Sequence, residues 1–108
     1  MQYTVIGLDG TDDKAMERRL AARAGHLRRS SLLLESGNLL YSCALLDDEG
    51  IMKGSTYVVR FESQEEFDHW YQNEPYILGD VWQDVKIYQS RTNDPWQFNR
   101  PKEWHKNI

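Results

Sequence analysis

Arg19, Arg23 and His26 recur at spacings of four and three residues inside Glu17–Leu27 (ERRLAARAGHL), so a helix through this stretch sets all three on one flank. Two guanidinium groups could clamp a carboxylate or another planar anion through paired N–H donors. An imidazole beside them could take or give a proton, because it titrates near neutral pH. The same three side chains could equally form a solvated helix boundary. The choice depends on which elements hold them and what they face.

The helix itself is well marked. Met16, Leu20, Ala24, Leu27, Ser31 and Leu34 keep to one stripe, and this stripe is expected to face the core, with His26 beside it. Thr11 or Asp12 is the expected cap, and Ser36-Gly37-Asn38 the expected stop. Before it, Tyr3–Leu8 is rich in β-branched residues and ends on Asp9-Gly10, which predicts a strand. After it, Leu39–Leu46 predicts a second strand, turned at Asp47-Asp48-Glu49-Gly50 into a third over Gly54–Glu62. Tyr57, Val59 and Phe61 share one face of that third strand. Ser63-Gln64-Glu65-Glu66 spells a capping box, followed by Phe67, Trp70 and Tyr71 as the inward face of a second helix that Pro75 ends. Val81–Gln89 predicts a fourth strand, with Val81, Val85 and Ile87 on one face and Trp82 and Tyr88 on the other. The order βαββαβ predicts an α+β, ferredoxin-like domain with a four-stranded antiparallel sheet over residues 1–90. Residues 91–108, with Pro95, Trp96 and Trp104, predict an extended tail that packs on its own or a partner subunit.

Composition narrows the function classes. The chain has 108 residues, enough for one domain, and 40% hydrophobic with 28% charged residues fits a globular protein. A net charge of −4 argues against a nucleic-acid or anionic-membrane surface. No apolar run approaches the roughly 18 residues a membrane span needs. A lone cysteine, Cys43, allows no internal disulfide, and the N-terminus shows no secretory pattern, so a cytoplasmic protein is expected. Cys43 reads as a small core residue. His26, His69 and His105 are too scattered to predict a metal site, and without a Gly-rich phosphate loop no cofactor is expected.

Two helices cover only one face of such a sheet, yet the strands carry apolar residues on both: Tyr3 and Val5 against Ile6 and Leu8, Leu39 and Leu45 against Leu40 and Leu46. An antiparallel sheet with one wet face alternates apolar with polar. The expectation is a homodimer, or a higher multiple, packed sheet to sheet; the alternative is a tail folded over its own sheet.

Several pieces in order resemble the YciI-like family of the dimeric α/β-barrel superfamily: Glu17–Leu27, the Gly-x-Leu-Leu of Gly37–Leu40, and the Leu-Leu-Asp-Asp-x-Gly of Leu45–Gly50. To these are added Gly54-Ser55, the Ser-x-Glu-Glu helix start and the acid-Pro-Tyr of Glu74-Pro75-Tyr76. The resemblance covers residues 1 to about 90. It implies a dimer with a cavity between helix and sheet and a His–Asp pair as the catalytic centre. His26 takes the histidine position, and Glu74 stands where the family usually has Asp. Cys43-Ala44 replaces the family's Gly-Pro, which alters the cavity wall. Members are mostly without assigned function, and the activities suggested are proton transfer or elimination on small ring compounds. On this basis the chain is expected to be a cofactor-independent acid–base enzyme acting on a small anionic ring compound. In that reading His26 and Glu74 are catalytic, while Arg19, Arg23 and Ser55 bind the small molecule. The rival expectations are a non-catalytic ligand-binding or regulatory module on the same dimer, and a structural accessory protein. Within the rival, His26 is a boundary histidine tied to a carboxylate for structural reasons, and Ser55 merely pairs at a strand edge.

Overall fold

A computed structural model describes residues 1–93, so the expected packing of the tail lies almost wholly outside the described residues. Of that tail, the described part is held by Thr92, whose amide and hydroxyl both donate to the Gln2 side chain, at 2.7 and 3.1 Å.

The first strand, β1 (Gln2–Asp9), alternates as its sequence requires: Tyr3, Val5 and Gly7 are buried, and the residues between them are half-buried. It lies at the centre of one antiparallel sheet with β2 (Leu39–Leu46), β3 (Met52–Arg60) and β4 (Trp82–Ser90), in the order β2-β3-β1-β4. The long helix α1 (Ala15–Ser36) joins β1 to β2. A shorter helix α2 (Gln64–Gln72) and a single turn α3 (Pro75–Leu78) join β3 to β4. This is the α+β ferredoxin-like fold that the order of elements predicts. Tyr57, Val59 and Phe61 are buried together against Phe67 and Trp70 of α2, and Tyr3 packs on Phe67 with ring centroids 4.1 Å apart. Gly37 ends α1 in the left-handed conformation with φ 82°, which glycine adopts without a Cβ clash. The Ser63 hydroxyl accepts the Glu66 amide at 3.2 Å, and the Glu66 carboxylate reaches back to the Glu62 amide, one residue beyond the expected box.

Five expectations are corrected. The cap of α1 is Lys14 without a side-chain bond; Asp12, two residues earlier, accepts the Lys14 amide at 3.3 Å and both arms of Arg18 at 2.6 and 2.9 Å. The stripe Leu20–Leu27–Leu34 does not face the core: these leucines are 59%, 48% and 64% exposed, and α1 buries Arg19 and His26 instead. The inner face of α1 lies over a polar cavity, so its polar flank is the buried one. In β2 a register shift skips Leu40, so Leu39 pairs with Val59 on the helix side while Leu45, opposite Gly54, points to the other face. The same shift leaves Cys43 exposed rather than in the core. In β4 a bulge opposite Leu8 and Asp9 pairs Asp9 with Trp82 and passes over Gln83, which brings Trp82 to the helix side with Val85. Trp82 is buried against Gly7, where a Cβ would stand 2.4 Å from the indole ring.

The described helices all lie on one side of the sheet. The other face carries Ile6, Leu8, Leu45, Val58 and Tyr88, half-buried or exposed.

Candidate active site

His26 and Arg19, seven residues apart, project from the inner face of α1 and are 4% and 2% exposed. Gly25 lets the Pro75 ring close to 3.4 Å of where its Cβ would stand, which brings the α3 turn against α1 just beside the histidine. Glu74 precedes Pro75 as the cap of that turn and accepts the Tyr76 amide at 3.2 Å. The same carboxylate oxygen bonds His26 Nδ1. Glu74 is wholly buried, and such a carboxylate needs compensation. It receives that from the imidazole, the amide and the Arg29 guanidinium, 3.9 Å from its second oxygen.

Three aromatic rings fix the imidazole plane. Tyr76 stacks on it at 3.7 Å with 10° between planes, while Trp82 meets it edge-on at 5.9 Å and Tyr57 lies tilted at 5.3 Å. The Tyr57 hydroxyl lies 2.8 Å from His26 Nε2 and also bonds the Ser30 hydroxyl, which in turn donates to the His26 carbonyl at 2.9 Å. Burial pushes the Tyr57 phenol up to about 12, with the Ser30 bond opposing, so it is a neutral hydroxyl at physiological pH. Burial likewise raises Tyr76, against Arg19 and Arg23 nearby.

A cavity of about 290 Å³ opens between α1 and the β2–β3 strands. His26, Tyr57, Tyr76, Arg19, Arg23 and Ser55 line it, and Leu27, Ala44 and Met52 supply apolar wall. A larger and more open depression of about 650 Å³ lies between α1 and α2, but its polar lining is largely exposed residues such as Glu65, Glu66 and His69. His26 lines the smaller cavity and not this one, and Glu74 stands behind its imidazole.

Four of the five residues singled out in the sequence line this cavity and Glu74 stands behind His26, but they are not equivalent. Arg19 is already committed: its Nε lies 3.0 Å from Asp9, its Nη2 donates to Gly54 O at 2.9 Å and to Ser55 Oγ at 3.1 Å, and its guanidinium covers the Tyr76 ring at 4.8 Å. Burial raises the Asp9 carboxyl, with Arg19 and then Arg18 opposing. Arg23 stands exposed at the rim and makes no hydrogen bond or ion pair among the described residues. Ser55 is buried, faces the cavity and accepts from Arg19. Sequence reading missed Asp9, Ser30, Tyr57 and Tyr76. The only signal for Tyr57 was a phenol two residues from Ser55 on the inward face of a strand, which residue type alone assigns to the core.

Comparison with known proteins agrees with this architecture. Residues 1–93 match the model of the YCII-related domain. Protein YciI of Escherichia coli O6:H1 is 32% identical over 93 residues, covering 81% of this chain and 93% of that protein. An uncharacterized protein of Haemophilus influenzae is 31% identical over the same length and shares. Among solved structures, the chain is similar to 5-chloro-2-hydroxyhydroquinone dehydrochlorinase from Burkholderia phenoliruptrix AC1100, in complex with 2,5-dihydroxybenzoquinone. The TM-score is 0.72 with 17% identity, over 86% of this chain and 96% of that one, a likeness of fold. By the family match and the identity to its relatives, this chain belongs to the YCII-related domain family.

Proposed function

We propose that this chain is a cofactor-independent acid–base enzyme that moves a proton on a small anionic ring compound, with elimination as one outcome. The observation that carries the reading is a buried carboxylate–imidazole pair, Glu74–His26, set at the wall of a cavity whose rim holds an uncommitted arginine. Nδ1–H bonded to Glu74 leaves Nε2 as the nitrogen with a lone pair to take up a proton. Arg23 holds the anionic oxygen of the ligand, and Tyr76, Leu27 and Met52 give a flat ring its apolar contacts. Arg19 is held by Asp9, Gly54 and Ser55 and supports the cavity wall at Ser55 and Tyr76. The apolar outer face of the sheet supports a homodimer packed face to face. Sedimentation at micromolar concentration tests that directly: a dimer or a multiple is expected, and a stable monomer contradicts it.

The ligand of the structural neighbour supplies a probe. 2,5-Dihydroxybenzoquinone is a flat acidic ring whose two C–H carbons exchange hydrogen by protonation and deprotonation. In deuterated buffer the protein is expected to speed loss of the ring proton signal, and His26→Ala to lower that rate by about 10²–10⁴-fold with binding of the quinone retained. Binding without any accelerated exchange would favour a ligand-binding module instead.

A further inference from the structure

The nitrogen of His26 left for chemistry already has a protein partner. Nδ1 is taken by Glu74, and Nε2 is covered by the Tyr57 hydroxyl at 2.8 Å, while Tyr57 itself lines the cavity wall. The imidazole is 6% exposed, with Tyr76 stacked on one face and Trp82 at its edge, so the Tyr57 hydroxyl is the group that lies between Nε2 and a ligand. We propose that Tyr57 is the group that exchanges protons with the ligand, and that His26 works behind it. This rests on the acid–base reading of the same cavity and specifies which atom touches the ligand.

The proton count closes without any co-reactant. With Nε2 unprotonated, Tyr57 O–H donates to its lone pair, and the Ser30 hydroxyl turns from the His26 carbonyl to donate to the Tyr57 oxygen. When the ligand gives up a proton, the Tyr57 oxygen accepts it as its own proton passes to Nε2. The product site holds an imidazolium between Tyr57 and the Glu74 carboxylate, and Tyr57 is again a neutral phenol. The Nε2–H then donates to the Tyr57 oxygen, Tyr57 donates to Ser30, and Ser30 donates to the His26 carbonyl, the 2.9 Å contact already in place. Protonation of a ligand carbon or of a leaving group runs the same steps in reverse. Ser30 is the positioning residue: its hydroxyl turns so that Tyr57 has a partner in both states. A phenol held up to about 12 by burial does not build up as free phenolate, which fits a group that passes protons on rather than storing charge.

Two measurements on the full chain test this. Diethyl pyrocarbonate acylates unprotonated imidazole nitrogen, and peptide mapping compares His26 with the exposed His69. His26 is expected to be protected in the wild type and to become reactive in Tyr57→Phe, where the ring remains and the hydroxyl is gone. Equal reactivity of His26 and His69 in the wild type overturns the inference, and so does continued protection in Tyr57→Phe. These outcomes hold whatever the quinone does. In ring-hydrogen exchange of 2,5-dihydroxybenzoquinone, Tyr57→Phe is expected to lose about 10²-fold or more with binding retained. If Tyr57→Phe keeps the exchange rate while His26→Ala abolishes it, His26 meets the ligand directly, and only the Tyr57 step falls. If the wild type itself gives no exchange, the proposed enzyme activity fails on this probe, and acylation alone decides whether Tyr57 screens His26.

Discussion

The two ends of the helix-covered face differ in what they bury. Under α2 the sheet meets hydrocarbon: Tyr3, Phe61, Phe67 and Trp70 pack ring on ring, with centroids 4.1 to 6.1 Å apart. Under the middle of α1 the sheet meets Arg19, His26, Ser55 and Glu74, four polar side chains each at most 5% exposed. The aromatic end has one hydrogen-bonding group to satisfy in Tyr3, whose hydroxyl donates to Gln64 at 2.6 Å, and an unpartnered indole N–H in Trp70. The polar end is tied together by bonds that run from Asp9 through Arg19 to Ser55, and from Glu74 through His26 and Tyr57 to Ser30. A small domain has little apolar area to spare. Concentrating it under α2 leaves the inner face of α1 free to hold charge, with α3 and Trp82 closing the seam between the two ends.

The contrast is broken most severely by exchanging the roles of the two ends. Trp70→Ala should cost about 3–5 kcal/mol of stability by chemical denaturation, with activity per folded molecule preserved. His26→Ala should do the opposite, abolishing proton transfer while the protein remains folded at 25 °C. Equal stability losses in the two variants would show that the polar end carries the fold as much as the aromatic one. The seam is next. Gly7→Ala would place a Cβ 2.4 Å from the Trp82 ring, and the shift this forces should cost about 1–3 kcal/mol and loosen the wall behind His26. A variant with unchanged melting would mean that Trp82 is not seated on Gly7.

Within the polar end, the two arginines should separate cleanly. Arg23→Gln should weaken binding of 2,5-dihydroxybenzoquinone about ten- to hundredfold without altering melting, since Arg23 is exposed and has no hydrogen-bond or ion-pair partner among the described residues. Arg19→Gln should chiefly lower stability, because Asp9 is then left buried without its cation. The reverse pattern would reassign the clamp to Arg19. The smallest effect belongs outside both ends, at the Arg18–Asp12 pair on the surface. The Arg18 hydrogen bonds lower Asp12 from 3.8 to about 2. A lowered carboxylate stabilises the fold above pH 3.8 and loses that contribution as pH falls toward about 2. At a fully solvated site this is a slight, salt-sensitive effect, and Asp12→Asn should leave melting at neutral pH unchanged.

Much of this architecture is legible in residue order. Alternation, the Ser63–Glu66 box, the Gly37 stop and the Asp47–Gly50 turn lead to βαββαβ without a structure. The carboxylate–imidazole pair is different: His26 and Glu74 are 48 residues apart, and only family resemblance joins them before the fold does. What was not legible has identifiable causes. The leucine stripe of α1 has the right period for a core face, but period cannot say that the opposite flank lies over a cavity that holds charge. The faces of Leu45, Cys43 and Trp82 were misjudged because register shifts in β2 and β4 interrupt the two-residue alternation. Arg19 read as a ligand clamp because its partner Asp9 lies on a different element. Tyr57 was placed only on the shared face of Val59 and Phe61, because a buried phenol and a buried ring look alike until its oxygen has a partner.

The central claim is that Glu74 and His26 work as one unit beside the cavity. Long-range proton–nitrogen spectra of ¹⁵N-labelled protein observe both ring nitrogens of His26 in the absence of any ligand. The account predicts a protonated Nδ1 whose resonance moves in Glu74→Gln and stays in place in Asp13→Asn, a change of equal charge at an exposed residue on the α1 approach. A His26 spectrum untouched by Glu74→Gln would show that the two are not paired in solution, and the acid–base site would lose its foundation.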